Sequence, residues 1–473
     1  MKRASTIPTS HLFLPGDLHL FDYHQIYAVS NIWIEEGMED VIGTYDLIVR
    51  DMPKNRNFLL FGGLEELIEG IRTWRYTKDE VDFLLKNTVI TKNMAEKMRR
   101  FRYSGDVWAM PEGTVFFPGE PMVRLTGPMW EINLLTMFLI NTLTSNTAVF
   151  SRAVRSWLAA DGKVQVLSCP ITRGHANEAA FKMGRAVYML GATMAPLVPA
   201  FARKFRLPMS HVSTKAYHAL ITSFPTEIEA MRASARLYPN RIDFMADTYD
   251  FKQGVRNAII VAEELREEGK TITGITIDSG KTVQDYIQQA RWARRELDRA
   301  GFPKIRITAA GNFDEWRIAE LVRAKAPVNG VIIGTEIVTI SDDPKLEAVL
   351  KLAEIRRGRE VVYKAKLAIG KESYPAQKQV YRRFARGTMM GDAIGLADEK
   401  LGTPLLKPMI RRGRVVYTLP HLDVIAQYTK RQIATLPKRL KDIHRQHRYP
   451  VRISSPLQKL FNAVKREHGK RRV

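Results

Sequence analysis

From about Gly162 the chain alternates between short β-branched or apolar runs and longer amphipathic stretches. The runs VQVLSC, RIDFMAD, TGITID, KIRITAAG and NGVIIGT have the length and composition of buried strands. Between them, QGVRNAIIVAEELREEG puts apolar residues at Val255, Ile259, Ala262 and Leu265, a helical spacing. KTVQDYIQQARWARRELDRAG repeats it with Val283, Ile287, Ala290 and Leu297, and ends on Gly301, a helix stop. Strand–helix units of roughly thirty residues predict parallel strands joined by helices, and five or more of them predict an α/β barrel.

The pattern differs on either side. GTYDLIVRDMPKNRNFLLFGGLEELIEGIRTW and SGDVWAMPEGTVFFPGEPMVRLTGP predict strands with turns plus a helix. Beyond about Pro344, VVYKAKLAIGKESYPAQKQVYRRF is again strand-like, and basic. Both ends are therefore expected to build one α+β domain around the barrel. The expected division is 1–145 for its N-terminal part, 146–345 for the barrel, and 346–473 for a C-terminal segment completing the α+β domain with a basic helical tail. The most apolar stretch, MWEINLLTMFLINTL, is interrupted by Glu131 and Asn133 and falls short of the ~18 residues that span a bilayer, so no membrane association is expected.

Composition changes this picture in one respect. With 45% hydrophobic and 26% charged residues the chain is ordinary, but its net charge of +23 points to polyanionic partners. Much of the excess follows Thr429, in KRQ, PKRLK, HRQHRYPVR and KREHGKRRV. A solvated tail and an electrostatic nucleic-acid contact both fit; no RNA-binding signature or zinc spacing accompanies it. The single cysteine, Cys169, excludes an intramolecular disulfide, and MKRASTIPTS is followed by no apolar signal region; a cytoplasmic protein is expected.

Each apolar run ends on residues with chemistry. Arg173 and His175 follow the first, Asp247 the second, Asp278 the third, Gly311 and Asn312 the fourth, Gly334 and Thr335 the fifth. In a barrel the carboxyl ends of the strands form one rim, so these groups are expected to share a site. The competing explanation is that acids and glycines end strands and cap the next helix. The letters G-K-T in GITIDSGKTVQDY do not make a phosphate-binding P-loop, because Gly274 is one position too far upstream and Ile275 to Ile277 reads as strand.

The ordered stretches PKNRNFLLFGGLEELIEGI, SGDVWAMPEGTVFFPGEP, FPTEIEAMRASARLYPNR, DTYDFKQGVRNAI, IDSG, GTEIVT and YPAQKQVYR resemble those of nicotinate phosphoribosyltransferase, a type II phosphoribosyltransferase, from about Glu35 to Asn462. The resemblance implies an irregular α/β barrel packed on an α+β domain, in a homodimer with shared active sites. It implies transfer of phosphoribose from 5-phosphoribosyl 1-pyrophosphate to nicotinate in NAD biosynthesis, with Mg²⁺ accompanying the pyrophosphate and ATP hydrolysis coupled through a phosphorylated histidine. By that resemblance His218 is the phosphorylated residue, Arg173 holds pyrophosphate, Asp278 and Asn312 bond the ribose hydroxyls, and Gly334 and Thr335 bind the 5′-phosphate. Asp247, Gly311, His175, Lys215 and Lys281 complete the expected substrate-binding set.

The chain departs from the family around the base. Cys169 replaces a phenylalanine that stacks on the pyridine ring, Thr172 replaces an arginine, and Ala195-Pro196-Leu197 replaces a Gly-rich loop. The aromatic partner of that stack has three candidates, His19, Tyr23 and Tyr27. Lys215 and Lys281 add positive charge without the planar fork of arginine. Three activities remain open on these residues: transfer to nicotinate, transfer to another base, or a non-catalytic role using the basic surface.

Overall fold

The apolar runs become strands covered on both faces, as parallel strands between helices must be. The computed structural model describes residues 20, 22–168, 172–191, 199–207 and 213–470. Six parallel strands form the central sheet: β1 (Gln165–Ser168), β2 (Thr214–Ala216), β3 (Ile242–Met245), β4 (Gly274–Ile277), β5 (Arg306–Ala309) and β6 (Gly330–Ile333). All four residues of β3 and of β4 are buried. The sheet order is β1-β6-β5-β4-β3-β2, so the chain goes round it in sequence and leaves a seam between β1 and β2. Residues of β2 and of the segment after β1 line one common cavity, which requires the sheet to curl into a half-barrel.

The amphipathic stretches form the covering helices. Phe251–Glu267 buries Val255, Ala262 and Leu265, and Val283–Arg299 buries Val283, Ile287, Ala290 and Leu297. Their N-caps are Asp250 and Thr282, and Asp314 caps Glu315–Arg323. Each cap lies a few residues beyond the rim residue of the preceding strand. Asp247, Asp278 and Asn312 are therefore not capping helices, and the competing explanation of those positions falls away.

The two ends of the chain build an antiparallel sheet of seven strands. Ile42–Val49 lies between Pro121–Pro128 and Ala348–Arg357, and Asp106–Ala109 pairs with Lys407–Arg411. The basic stretch beyond Pro344 divides, with Glu360–Tyr363 in this sheet and Lys378–Ala385 in a separate four-stranded one. The basic C-terminus is folded rather than free. Val451–Ile453 adds a parallel strand to the smaller sheet, and the helix Ser455–Lys470 buries Leu457, Phe461 and Val464.

Helix Met129–Ala160 joins the two parts and runs through residue 145. It is long and apolar enough to cross a membrane by length and composition, but 67% of its most apolar window is buried inside the molecule. Its two arginines explain how. Arg152 and Arg155 hold opposite oxygens of the buried Glu315 at 2.5 and 2.6 Å. Arg152 also lies 3.3 Å from Asp342, which Arg56 of the outer domain grips through both oxygens at 2.6 and 3.1 Å.

Candidate active site

The strand ends meet. Arg173 after β1, Lys215 on β2, Asp278 after β4, Gly311 and Asn312 after β5, and Gly334 and Thr335 after β6 line a single cavity of about 230 Å³. Thr172, Tyr217, Thr276 and Glu336 share its wall. Arg173 is exposed and forms no ion pair among the described residues, which leaves its guanidinium available to an anion.

Beside the cavity lies a group of two carboxylates and a histidine. Asp247, buried at the end of β3, accepts the Asp278 N–H at 2.7 Å through Oδ2. Its Oδ1 accepts no hydrogen bond among the described residues and lies 3.9 Å from His218 Nε2. That nitrogen is also 3.8 Å from Asp278 Oδ2, while Nδ1 is 2.9 Å from the Thr248 hydroxyl. The imidazole edge thus faces two carboxylates. Burial, then the Asp247 charge, raises the Asp278 pKa above the ordinary carboxylate value, against the opposing pull of His218 and Lys215.

On the barrel floor, Lys215 donates to Thr276 Oγ1 at 2.5 Å and to Asp243 Oδ2 at 3.3 Å, tying β2 to β3 and β4. The rim loops are fixed from behind. Arg317 donates to the carbonyls of Asn312 at 2.6 Å and Lys281 at 3.0 Å, and Tyr286 donates to that of Asp278 at 3.2 Å. Gly311 passes close under Tyr286 with φ +111°, and a Cβ there would lie 2.4 Å from the tyrosine oxygen. Glu336 carries an acid into a wall meant for anions, but its carboxylate takes a short hydrogen bond from Ser341 and lies 3.9 Å from Arg152.

Four of the expected residues do not line the cavity: His218 and Asp247 lie beside it, and Lys281 and His175 lie elsewhere. Lys281 is exposed on the loop after β4, where its N–H donates to Asp285. His175 lines a separate groove of about 510 Å³ against helix Met129–Ala160. Of the expected aromatics, Tyr27 is buried in the outer domain with its hydroxyl against Tyr76, so it cannot face this cavity from the same chain. His19, the Tyr23 side chain, Cys169 and Ala195-Pro196-Leu197 lie outside what is described. Thr248, Arg317, Tyr286 and Tyr217 were not expected at the site. The one sequence signal for any of them is the two-residue spacing of Lys215 and Tyr217.

Comparison with known proteins agrees with this architecture. Residues 22–144 match the nicotinate phosphoribosyltransferase N-terminal domain, and residues 402–461 match the C-terminal domain of the same family. The chain is 32% identical over 437 residues to a nicotinate phosphoribosyltransferase of Mycobacterium tuberculosis, covering 92% of this chain and 90% of that protein. It is 28% identical to the Bacillus subtilis nicotinate phosphoribosyltransferase, over 92% of each. The crystal structure of human nicotinic acid phosphoribosyltransferase superposes with a TM-score of 0.79 at 20% identity, covering 94% of this chain and 99% of that one, which establishes the shared fold.

Proposed function

The chain belongs to the nicotinate phosphoribosyltransferase family, enzymes of NAD biosynthesis and salvage, and from that premise we propose that its half-barrel cavity joins nicotinate to 5-phosphoribosyl 1-pyrophosphate. The products are nicotinate mononucleotide and pyrophosphate. The observation that carries this reading is the convergence of Arg173, Asp278, Asn312, Gly334 and Thr335 on one wall.

The chemistry asks for little proton transfer. The pyridine nitrogen uses its lone pair to bond C1′ of the ribose while the bond from C1′ to the pyrophosphate oxygen breaks. Positive charge grows on the ribose ring and negative charge on the leaving group, so the site has to stabilise both. The Arg173 fork suits the pyrophosphate. The backbone N–H groups of Gly334 and Thr335, with the Thr335 hydroxyl, suit the 5′-phosphate. The Asp278 carboxylate and the Asn312 amide accept from and donate to the ribose hydroxyls, and the Asp278 charge also opposes the ring's growing positive charge. Mg²⁺ is read as arriving on the pyrophosphate, whose oxygens are hard ligands suited to it. His218 is read as the acceptor of a phosphoryl group from ATP, with Thr248 orienting its ring.

Purified protein given labelled nicotinate, phosphoribosyl pyrophosphate and Mg²⁺ should form the mononucleotide, faster with ATP. No product under any condition would overturn the proposal. His218→Ala should abolish the ATP stimulation; full stimulation in that variant would exclude His218 as the phosphoryl acceptor.

A further inference from the structure

We propose that the end of the seven-stranded sheet around the hairpin 407–415 is a binding surface for the phosphate backbone of nucleic acid. The inference is independent of the transferase reading above. It begins with a repeat in the sequence: the pentapeptide Ile-Arg-Arg-Gly-Arg occurs at 355–359 and again at 410–414. Each copy turns a hairpin of the same sheet, with Arg357 paired to Glu360 and Arg411 to Arg414. Strand register puts both turns at one end of that sheet. Ile42 lies between Arg356 and Pro128, while Asp106, opposite Thr126, accepts the Arg412 N–H at 2.7 Å.

The two copies have different surroundings. At the first, acids intervene: Glu354 lies 3.4 Å from Arg356, and Glu360 stands opposite Arg357. At the second, arginines gather. Arg412 and Gly413 make a tight turn with φ +46° and +71°. Gly413 rests on the Tyr103 carbonyl, where a Cβ would come within 2.5 Å, and this contact sets the tip beside Arg102. The strand Arg414–Val415 packs against helix Leu64–Thr73, which carries Arg72 in its last turn and Arg75 just beyond. These charges lie close enough to act on one another: partial burial, then Arg102 and Arg72, lower the Arg75 pKa below the ordinary arginine value.

Little of this charge is neutralised. Glu69 holds Arg72 at 2.6 Å and Asp106 holds Arg411 at 3.1 Å. Arg75 and Arg102 donate to the carbonyls of Trp74 and Phe101, and together with Arg412 and Arg414 they have no acidic partner among the described residues. Crowded like charges repel, and a polyanion laid across them relieves the repulsion. All six cations are arginines rather than lysines, and a guanidinium fork matches two phosphate oxygens where an ammonium offers a point charge. Four uncommitted forks suit a chain of phosphates better than a single anion. Contacts of this kind give affinity without reading sequence. An anionic membrane asks only for charge, not for the fork, and is the alternative the test separates.

The repeat supplies its own control. Arg102→Glu/Arg414→Glu reverses two charges in the cluster, and Arg357→Glu/Arg359→Glu reverses two at the first copy, so the net charge falls equally. Fluorescence anisotropy with a labelled single-stranded RNA of about 20 nucleotides should show wild-type binding whose log K falls against log salt with a slope of about −3, for four phosphate contacts. The first double variant should bind about tenfold or more weakly with roughly half that slope, and the second should stay within about twofold of wild type. Both should melt with the wild type, because all four side chains are exposed. Arg102→Ala alone should reduce the size of the slope by about 0.7, and an unchanged slope would overturn the proposal. Absence of RNA binding to the wild type, or equal losses in the two double variants, would overturn it as well. Binding to phosphatidylserine vesicles without binding to RNA would assign the surface to a membrane instead.

Discussion

In the proposed site Asp278 meets the ribose as a carboxylate, whose charge protonation removes, so activity should fall as the pH drops through its pKa. Burial and Asp247 raise that pKa, which places the acid limb of kcat/KM above the roughly 3.9 of an unperturbed aspartate. Asp247→Asn removes the second of these causes while keeping an oxygen for the Asp278 N–H. Its pH–rate profile should therefore show the limb at lower pH; a limb that stays put would mean another group controls it. Gly311 carries a steric prediction. Gly311→Ala forces a side chain into the φ > 0 region and against Tyr286, at a cost of roughly 1–3 kcal/mol, measurable by thermal melting. The rim residues were legible because each follows a run of β-branched residues whose length sets where the strand stops. Their supports were not: Thr248 meets His218 across 30 residues and Arg317 meets Lys281 across 36, and no local pattern encodes such a meeting.

Helix Met129–Ala160 is buried on nearly every side, so its apolar residues trace no single stripe for periodicity to detect. Arg152 is fully buried and donates to the Glu336 carbonyl at 3.1 Å, beside the Gly334–Thr335 turn. Arg152→Met leaves Glu315 with one arginine instead of two and frees that turn. Removing one partner of such a buried pair costs about 3–5 kcal/mol, and denaturant unfolding should show it. A rise in KM for phosphoribosyl pyrophosphate should accompany it. The same cluster has an acid sensitivity. Burial pushes Asp342 up, but the Arg56 hydrogen bonds and the charges of Arg56 and Arg152 hold it down to about 2. Its folded pKa lies below the roughly 3.9 of the unfolded chain, so its stabilisation is complete above that value and is lost as pH falls toward 2. The shorter covering helices were legible from their spacing and caps, because one face of each is wet.

At the scale of the molecule, the basic C-terminus is both charged and structural. Lys459, Lys465 and Arg466 face solvent while Leu457, Phe461 and Val464 pack inward. Truncation after Pro450 removes three buried side chains worth roughly 1.5–3 kcal/mol each and bares the strand Thr388–Leu396, so the melting temperature should fall by several degrees. An unchanged melt would show that the segment adds no stability. Contact with a polyanion is better tested by charge-reversal on the helix's outer face, which spares the packing. The outer sheet could be expected only as a grouping of the two ends, since strand pairing between distant segments has no local signature. That pairing also sets a timetable for biosynthesis. Thr44 bonds Glu354, 310 residues along the chain. At about 5–20 residues per second, the ribosome delivers the second strand roughly fifteen seconds to a minute after the first. Through that interval Ile42–Val49 presents a bare edge to its surroundings or to another nascent copy, while the half-barrel strands emerge and can pair among themselves. The order of synthesis thus makes this one strand the nascent chain's most prolonged invitation to mispairing.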